Sequence, residues 1–389
     1  MDSVNGARAA WRCAVRLRRR SSRSTFPVRW SNISAEVAPE SVALFDYALP
    51  EALIAQHPAP QRDGSRLFVL DGERMAHRTF SDLPSLLAPD DLLVLNETRV
   101  IPARLAGERV RGGGRAELLL LHPADSTRYD PQALRWIVLA KPARRLRCGD
   151  RIAFGRLGEA RVCAELSEGL RELEFALSVP FERFLEEAGR MPLPPYIRND
   201  SPEAQGRYQS VFARLPGSVA APTASLHFTP RLLRDIADRG VEIVRLALEV
   251  GLGTFRPVTA ESIGEHVMHA ESYSIDPETA RAVESARSCG RRIVAVGTTV
   301  VRALEGSIKT YGRIEPGEHV TDLFITPGFR FGVVGAMITN FHLPRSTLLM
   351  LVSAFAGRER VLRAYAEAIA QRYRFYSFGD AMFVTRLTA

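Results

Sequence analysis

Twenty residues near the C-terminus, Ile338 to Gly357 (ITNFHLPRSTLLMLVSAFAG), constrain the fold of this chain more than any other stretch. The first half gathers Thr339, Asn340, His342 and Arg345 around Phe341 and Pro344, and the second is an almost unbroken apolar run from Leu348 to Ala356. That run is far short of the ~20 apolar residues needed to span a bilayer. It therefore predicts a buried core element, with Ser346 or Thr347 capping its start. Polar groups stand at a lip with apolar support behind them.

The design recurs along the chain. In Asp91 to Leu105 (DLLVLNETRVIPARL) a buried strand ends in Asn96, Thr98, Arg99 and Arg104. Val241 to Gly251 reads as a strand that runs into GLGTFRPV, placing Gly253, Thr254 and Phe255 at its exit. Arg292 to Val296 is a third strand, followed by GTTVVRALEG, a turn into a helix bearing Arg302 and Glu305 three residues apart. Thr229-Pro230 and Asp276-Pro277 are cap and proline signatures of helices. Strand, tight turn and helix in repetition predict a mainly parallel α/β sheet, whose ligand crevice lies beyond the strand ends. Each polar residue also has a structural reading: Asn96 and Arg99 fixing a turn, Arg302 and Glu305 forming an ion pair on one helical face.

Between about Gly107 and Ala188 the texture changes to short alternating segments such as AELLLL and WIVLA, separated by glycine, proline and charged turns. This predicts a small inserted β-barrel or sandwich. The expected division is 1–40 as a disordered Arg-rich extension, 41–106 and 189–389 as the α/β catalytic domain, and 107–188 as the inserted barrel.

Charge is unevenly placed. Eight arginines against the single acid Asp2 put a net +7 of the chain's +8 into Met1 to Ala35, so the body is close to neutral and bulk charge is no argument for RNA binding. The segment reads as an organelle transit peptide or as an extension from a misplaced start codon. Cys13, Cys148, Cys163 and Cys289 show no CxxC or zinc spacing, which suits a reducing compartment. Neither lysine, Lys141 or Lys309, lies in a phosphate-binding loop, which argues against an NTPase. His266, His269 and Glu271 lack the HExxH spacing of a zinc enzyme.

Eleven ordered blocks carry a family resemblance: FDYALPEALIAQHP, SRLFVL, LLVLNETRVIPARLAG, MPLPPYIR, RYQSVFA, GSVAAPTASLHF, VGLGTFRPV, HVMHAESY, AVGTTVVRALE, TNFHLPRSTLLMLVSAFAG and YRFYSFGDAM. From about Phe45 to Val384 the chain resembles the S-adenosylmethionine:tRNA ribosyltransferase-isomerase family. The resemblance implies an α/β domain interrupted by a β-barrel. It also implies transfer of the ribosyl part of S-adenosylmethionine onto 7-aminomethyl-7-deazaguanine at the tRNA wobble position, giving epoxyqueuosine-tRNA, adenine and methionine.

That chemistry sets demands on side chains. The sulfonium acidifies the C5′ proton, which a carboxylate or neutral imidazole removes in a water-poor pocket. Adenine leaves, and the aminomethyl nitrogen of a base splayed from the anticodon loop attacks the sugar. Within the matching blocks the acid/base candidates are His227, His269, Glu271, His342 and Asp380. Asn96, Arg99, Arg104, Tyr196, Arg198, Thr223, Gly253, Thr254, Phe255, Arg302, Glu305 and Asn340 are the binding candidates. S-adenosylmethionine serves as co-substrate with no further cofactor or metal, and a cytoplasmic monomer without membrane contact is expected. The chain departs from the family at Ser225 (family Gly), Glu249 (family His) and Gly335 (family Asp). Glu249 is expected either to face the site in place of the histidine or to point into solvent. The rival classes are a divergent S-adenosylmethionine-dependent RNA-modifying enzyme, a methyltransferase, which would need a glycine-rich first loop and an acidic ribose ligand, and a non-catalytic RNA-binding module prompted by the turn bearing Arg144, Arg145 and Arg147.

Overall fold

The structure, a computed structural model, describes residues 41–251 and 258–387. The Arg-rich segment 1–40 and the turn residues Gly253, Thr254 and Phe255 lie outside the described residues. In chain order, β1 (Arg66–Asp71), β2 (Arg74–Thr79), β3 (Leu92–Asn96) and β4 (Thr98–Val100) precede β5 (Arg104–Arg109), β6 (Arg115–Pro123) and β7 (Arg135–Lys141). Next come β8 (Arg151–Ala153), β9 (Gly158–Glu165), β10 (Leu170–Leu177), helix α1 (Phe181–Ala188) and β11 (Gly189–Arg190). The chain continues through α2 (Pro202–Arg207), β12 (Leu215–Ser218), α3 (Pro230–Asp238), β13 (Glu242–Leu248) and β14 (Glu271–Ile275). Then follow α4 (Pro277–Ser288), β15 (Ile293–Val296), α5 (Thr298–Tyr311) and β16 (Gly317–Thr321). The last elements are β17 (Ala336–Asn340), α6 (Thr347–Ala356), α7 (Arg358–Ala370) and β18 (Ala381–Thr385).

Nine strands form one sheet in the order β16-β14-β13-β3-β15-β17-β18-β1-β2. Its centre, β13, β3, β15 and β17, is parallel. Strands β3, β15 and β17 are buried at every residue, which is why they read as continuous apolar runs. The margins differ from the mainly parallel expectation: β14 and β16 are antiparallel on one side, and β18 runs antiparallel to β17 on the other. The result is a mixed sheet with a parallel heart.

The predicted caps form. Ser346 Oγ accepts from Leu349 N at 3.2 Å, Thr229 Oγ1 from Leu232 N at 3.1 Å, and Asp276 Oδ1 from Thr279 N at 2.7 Å. Helix α6 is buried over most of its circumference, as an all-round apolar helix must be.

The segment between the two parts of the sheet is a closed barrel. Strands β5-β6-β7-β10-β9-β8 follow one another, and β8 returns to β5 through Glu108↔Ala153 and Arg109↔Ile152. Alternate residues Leu118, Leu120, Trp136, Val138, Leu173 and Phe175 fill it, and Phe181 and Phe184 of α1 pack against this core. Trp136 stacks on Phe181 at 5.1 Å. Closure depends on Gly107, since a Cβ there would lie 2.5 Å from Ile152 Cγ2.

Candidate active site

The parallel strands β13, β3, β15 and β17 end at one edge of the sheet, the edge where open α/β folds bind ligands. A cleft lies there, lined by Tyr196, Thr223, Val250, Thr298, Thr299, Thr339, Asn340, His342, Tyr376 and Ser377 among others. Gly297 leaves β15 at φ 93°, a left-handed turn open to glycine, and starts α5 at once without a side-chain cap. The first N–H groups of α5 thus stand at the cleft as hydrogen-bond donors.

Of the candidates, Asn340 and His342 line this cleft and His227 lies behind Asn340. His227 receives 2.7 Å contact at Nδ1 from Ser65 Oγ and 3.3 Å contact at Nε2 from Asn340 Nδ2, with its ring stacked on Phe80. Asn340 Nδ2 also donates to Tyr376 O at 3.0 Å. With both amide hydrogens used, Asn340 Oδ1 is a buried acceptor without a partner. His342 Nε2 lies 2.8 Å from Thr339 Oγ1, and its backbone carbonyl accepts from Tyr47 Oη. Burial lowers His227 to about 4, with the charge of Asp380 pulling weakly upward, and lowers His342 to about 3. Both rings are therefore neutral at pH 7.

Beside this cleft, and sharing Val250 with it, is a chamber of about 280 Å³ between the sheet edge and the barrel. His269 is exposed at its rim. Glu271 lines it, accepting from Gly251 N at 3.3 Å and pairing with buried Arg302. Arg302 Nη2 is buried without a partner.

Other expectations need correction. Arg302 and Glu305 do not pair: Glu305 turns to the following loop and accepts from Gly332 N, Val333 N and Val334 N at 2.8, 3.0 and 2.9 Å. Asp380 is not a free acid or base, because it accepts from Arg66 N and Arg374 N and is ion-paired with both guanidinium groups. Asn96 spends its amide on Leu248 O, Thr299 Oγ1, Thr98 N and Leu248 N, and so supports Thr299 from behind. Arg104 donates to Leu193 O, Arg198 pairs with Glu51 on the surface, and Arg99 is exposed on β4. Tyr196, in contrast, borders the cleft with its hydroxyl 2.6 Å from Ser377 Oγ, and Thr223 lies opposite.

The departures are separable. Ser225 sits in a short 3₁₀ turn without positive φ, so a side chain is tolerated. Gly335 precedes β17 at the end remote from Asn340 and is bonded to Ile293 O, so an aspartate there would face Arg292 rather than the cleft. Glu249 borders both the chamber and a second cavity that holds its partners Arg128 and Tyr129. Sequence reasoning missed Thr298, Thr299 and Tyr376. The threonines were signalled by their place at a strand exit. Tyr376 was not, although its backbone takes a φ of 70°.

Residues 42–384 match the family described as queuosine biosynthesis protein. A protein of Moorella thermoacetica named S-adenosylmethionine:tRNA ribosyltransferase-isomerase is 54% identical over 345 residues, covering 87% of this chain and 98% of its own. Its namesake in Symbiobacterium thermophilum is 53% identical over 343 residues with the same coverage. A solved S-adenosylmethionine tRNA ribosyltransferase from Thermotoga maritima is 38% identical, spans 88% of this chain and 99% of that one, and superposes with a TM-score of 0.49. With a family match across nearly all of the body and half of the residues shared with relatives over their whole length, this chain belongs to the queuosine biosynthesis protein family.

Proposed function

We propose that this protein is an S-adenosylmethionine:tRNA ribosyltransferase-isomerase that moves the ribosyl unit of S-adenosylmethionine onto 7-aminomethyl-7-deazaguanine at the tRNA wobble position. The products are epoxyqueuosine-tRNA, adenine and methionine. The observation that carries the reading is a strand-end cleft where Asn340 Oδ1 is a buried acceptor without a partner, the neutral imidazole of His342 shares the lining, and that of His227 is held behind Asn340. A ligand with N–H or O–H donors would satisfy that oxygen, which otherwise costs about 1–3 kcal/mol to leave unpaired. Neutral rings suit a sulfonium substrate, because imidazolium ions would repel it.

In this reading His227 and His342 are the candidates to take the C5′ proton, and the first turn of α5 offers donors to an anionic or hydroxyl group of the same ligand. Glu271 and His269 serve the neighbouring chamber. Residues 41–106 and 189–389 form the catalytic body and 107–188 the inserted barrel, whose exposed Arg144, Arg145 and Arg147 are available to a phosphate backbone. Among the described residues no helix is long and apolar enough to cross a membrane. The working form is a cytoplasmic monomer.

The test supplies tRNA bearing 7-aminomethyl-7-deazaguanine with S-adenosylmethionine labelled separately in methyl and ribose. Ribose label in tRNA together with released adenine is the expected result. Methyl label in tRNA, or no transfer, overturns the reading.

A further inference from the structure

The chamber beside the cleft is bordered by the barrel and the sheet edge. The barrel side holds an apolar patch of Leu121, Ile137 and Leu170 together with His122, Thr127 and Glu168, and Glu249 and Glu271 stand on the sheet edge. An apolar patch among hydrogen-bonding groups suits a planar heteroaromatic group, which has apolar faces and a hydrogen-bonding rim. Val250 borders both cavities, so a group seated in the chamber lies next to one in the cleft.

Of the chamber's three carboxylates Glu168 is exposed, and the two on the sheet edge are not equivalent. Glu271 is neutralised by Arg302. Glu249 accepts one hydrogen bond at Oε2, from Tyr129 N at 2.9 Å. Its Oε1 has only Arg128 Nε, 3.9 Å away and beyond hydrogen-bond reach, while the far end of Arg128 is drawn to Glu318. Gly217 packs beneath the side chain so closely that a Cβ there would lie 2.6 Å from Glu249 Cδ, which limits where the carboxylate can swing. Glu249 is thus a held, mostly buried carboxylate with one oxygen free of hydrogen bonds and a single cation, Arg128, at the limit of ion-pair reach.

We propose that this chamber receives the base to be modified and that Glu249 binds the ammonium of its aminomethyl arm and takes the proton that the nitrogen must shed before it attacks the sugar. The assignment rests on the tRNA-ribosyl reading above. In the step an N–H bond breaks and an O–H bond forms at Oε1, converting ammonium and carboxylate into neutral amine and carboxylic acid, with no other reactant. Burial already pushes the Glu249 carboxyl up to about 7, so the protonated form is accessible near neutrality.

The experiment compares binding of two tRNAs, one with 7-aminomethyl-7-deazaguanine and one with guanine at the wobble position, to the full-length protein and to E249Q. The glutamine keeps an acceptor for Tyr129 N–H and removes the charge. The intact protein is expected to prefer the amine-bearing tRNA by about tenfold or more. E249Q is expected to lose that preference while binding guanine tRNA and S-adenosylmethionine as before, and E249H serves if the glutamine form fails to fold. A preference that survives in the variant, or a fall in S-adenosylmethionine affinity instead, overturns the proposal. A protein that transfers ribose yet shows no amine preference overturns it too, leaving the function standing, whereas absence of ribosyl transfer by the unaltered protein removes the function itself.

Discussion

Arg302 and Glu271 show how a residue that lines the chamber can also hold the scaffold. Both are buried, on α5 and at the start of β14, and each is the other's main charge partner. Such a pair adds little net stability, yet losing one member strands a charge in an apolar interior at a cost of about 3–5 kcal/mol. Glu271→Ala or Arg302→Met alone should therefore lower unfolding free energy in urea by that amount. The double variant Glu271→Met/Arg302→Met should recover most of it, and additive losses would refute the coupling. The histidines make a second prediction. The folded-state value of His227, about 4, lies below the ordinary 6.5, so the native protein binds fewer protons than the unfolded chain between those limits. The stabilisation is present above pH 6.5 and lost as pH falls toward 4, and amounts to about 3 kcal/mol. Glu249, raised to about 7, acts in the opposite direction, weakening the fold as pH rises from 4.5 to 7. His227→Gln should flatten the acid limb of a plot of melting temperature against pH, and an unchanged limb would refute the assignment. Residue types in short blocks made His227, His342 and Asn340 legible as a group. Sequence could not reveal that Asp380 is held by Arg66 as well as by nearby Arg374, or that Glu305 is consumed by a loop, because Arg66 and that loop lie far away in the chain.

Among elements, α6 has the simplest local logic. Its sequence offered Ser346 or Thr347 as the cap, and the hydroxyl of Ser346 takes the role with Leu349 N. Ser346→Ala should cost about 1 kcal/mol in denaturant titration with an unchanged slope, while Thr347→Ala, inside the first turn, should cost clearly less. Equal losses would mean that the hydrogen bond does not decide where the helix begins. Caps and buried parallel strands were readable because each is set by residues within a few positions. The alternating segments of the barrel were readable for the same reason, although closure of β8 onto β5 was not. Direction at the sheet margins was hidden as well. Strand β18 enters between β17 and β1, antiparallel to one and parallel to the other, and nothing in its own AMFVT specifies that. Pairing of distant strands is a property of the assembled layer, and a one-strand pattern carries only which face is buried.

At the scale of the molecule, the barrel reaches the sheet edge through one loop, where Thr127 Oγ1 meets Ser272 Oγ at 2.8 Å and Tyr129 N meets Glu249. The chamber exists only because these two parts adjoin. Charge is organised differently, since most of the net positive charge lies in the first 35 residues while the family match covers residues 42–384. The relatives are matched over 98% of their length by 87% of this chain, so the chemistry they share is encoded after that segment. A form beginning at Ser41, where the described structure starts, should therefore keep kcat within about twofold when both substrates saturate. Its KM for tRNA should behave otherwise. Arginines that neutralise phosphates release counterions, so affinity depends steeply on salt in proportion to the contacts made. The full chain should show a lower KM than the shortened form at low ionic strength, a steeper rise with salt, and convergence of the two as salt screens the charges. A large fall in kcat on shortening would assign residues 1–40 to the chemistry. Parallel salt dependences would show instead that those arginines do not meet tRNA during turnover.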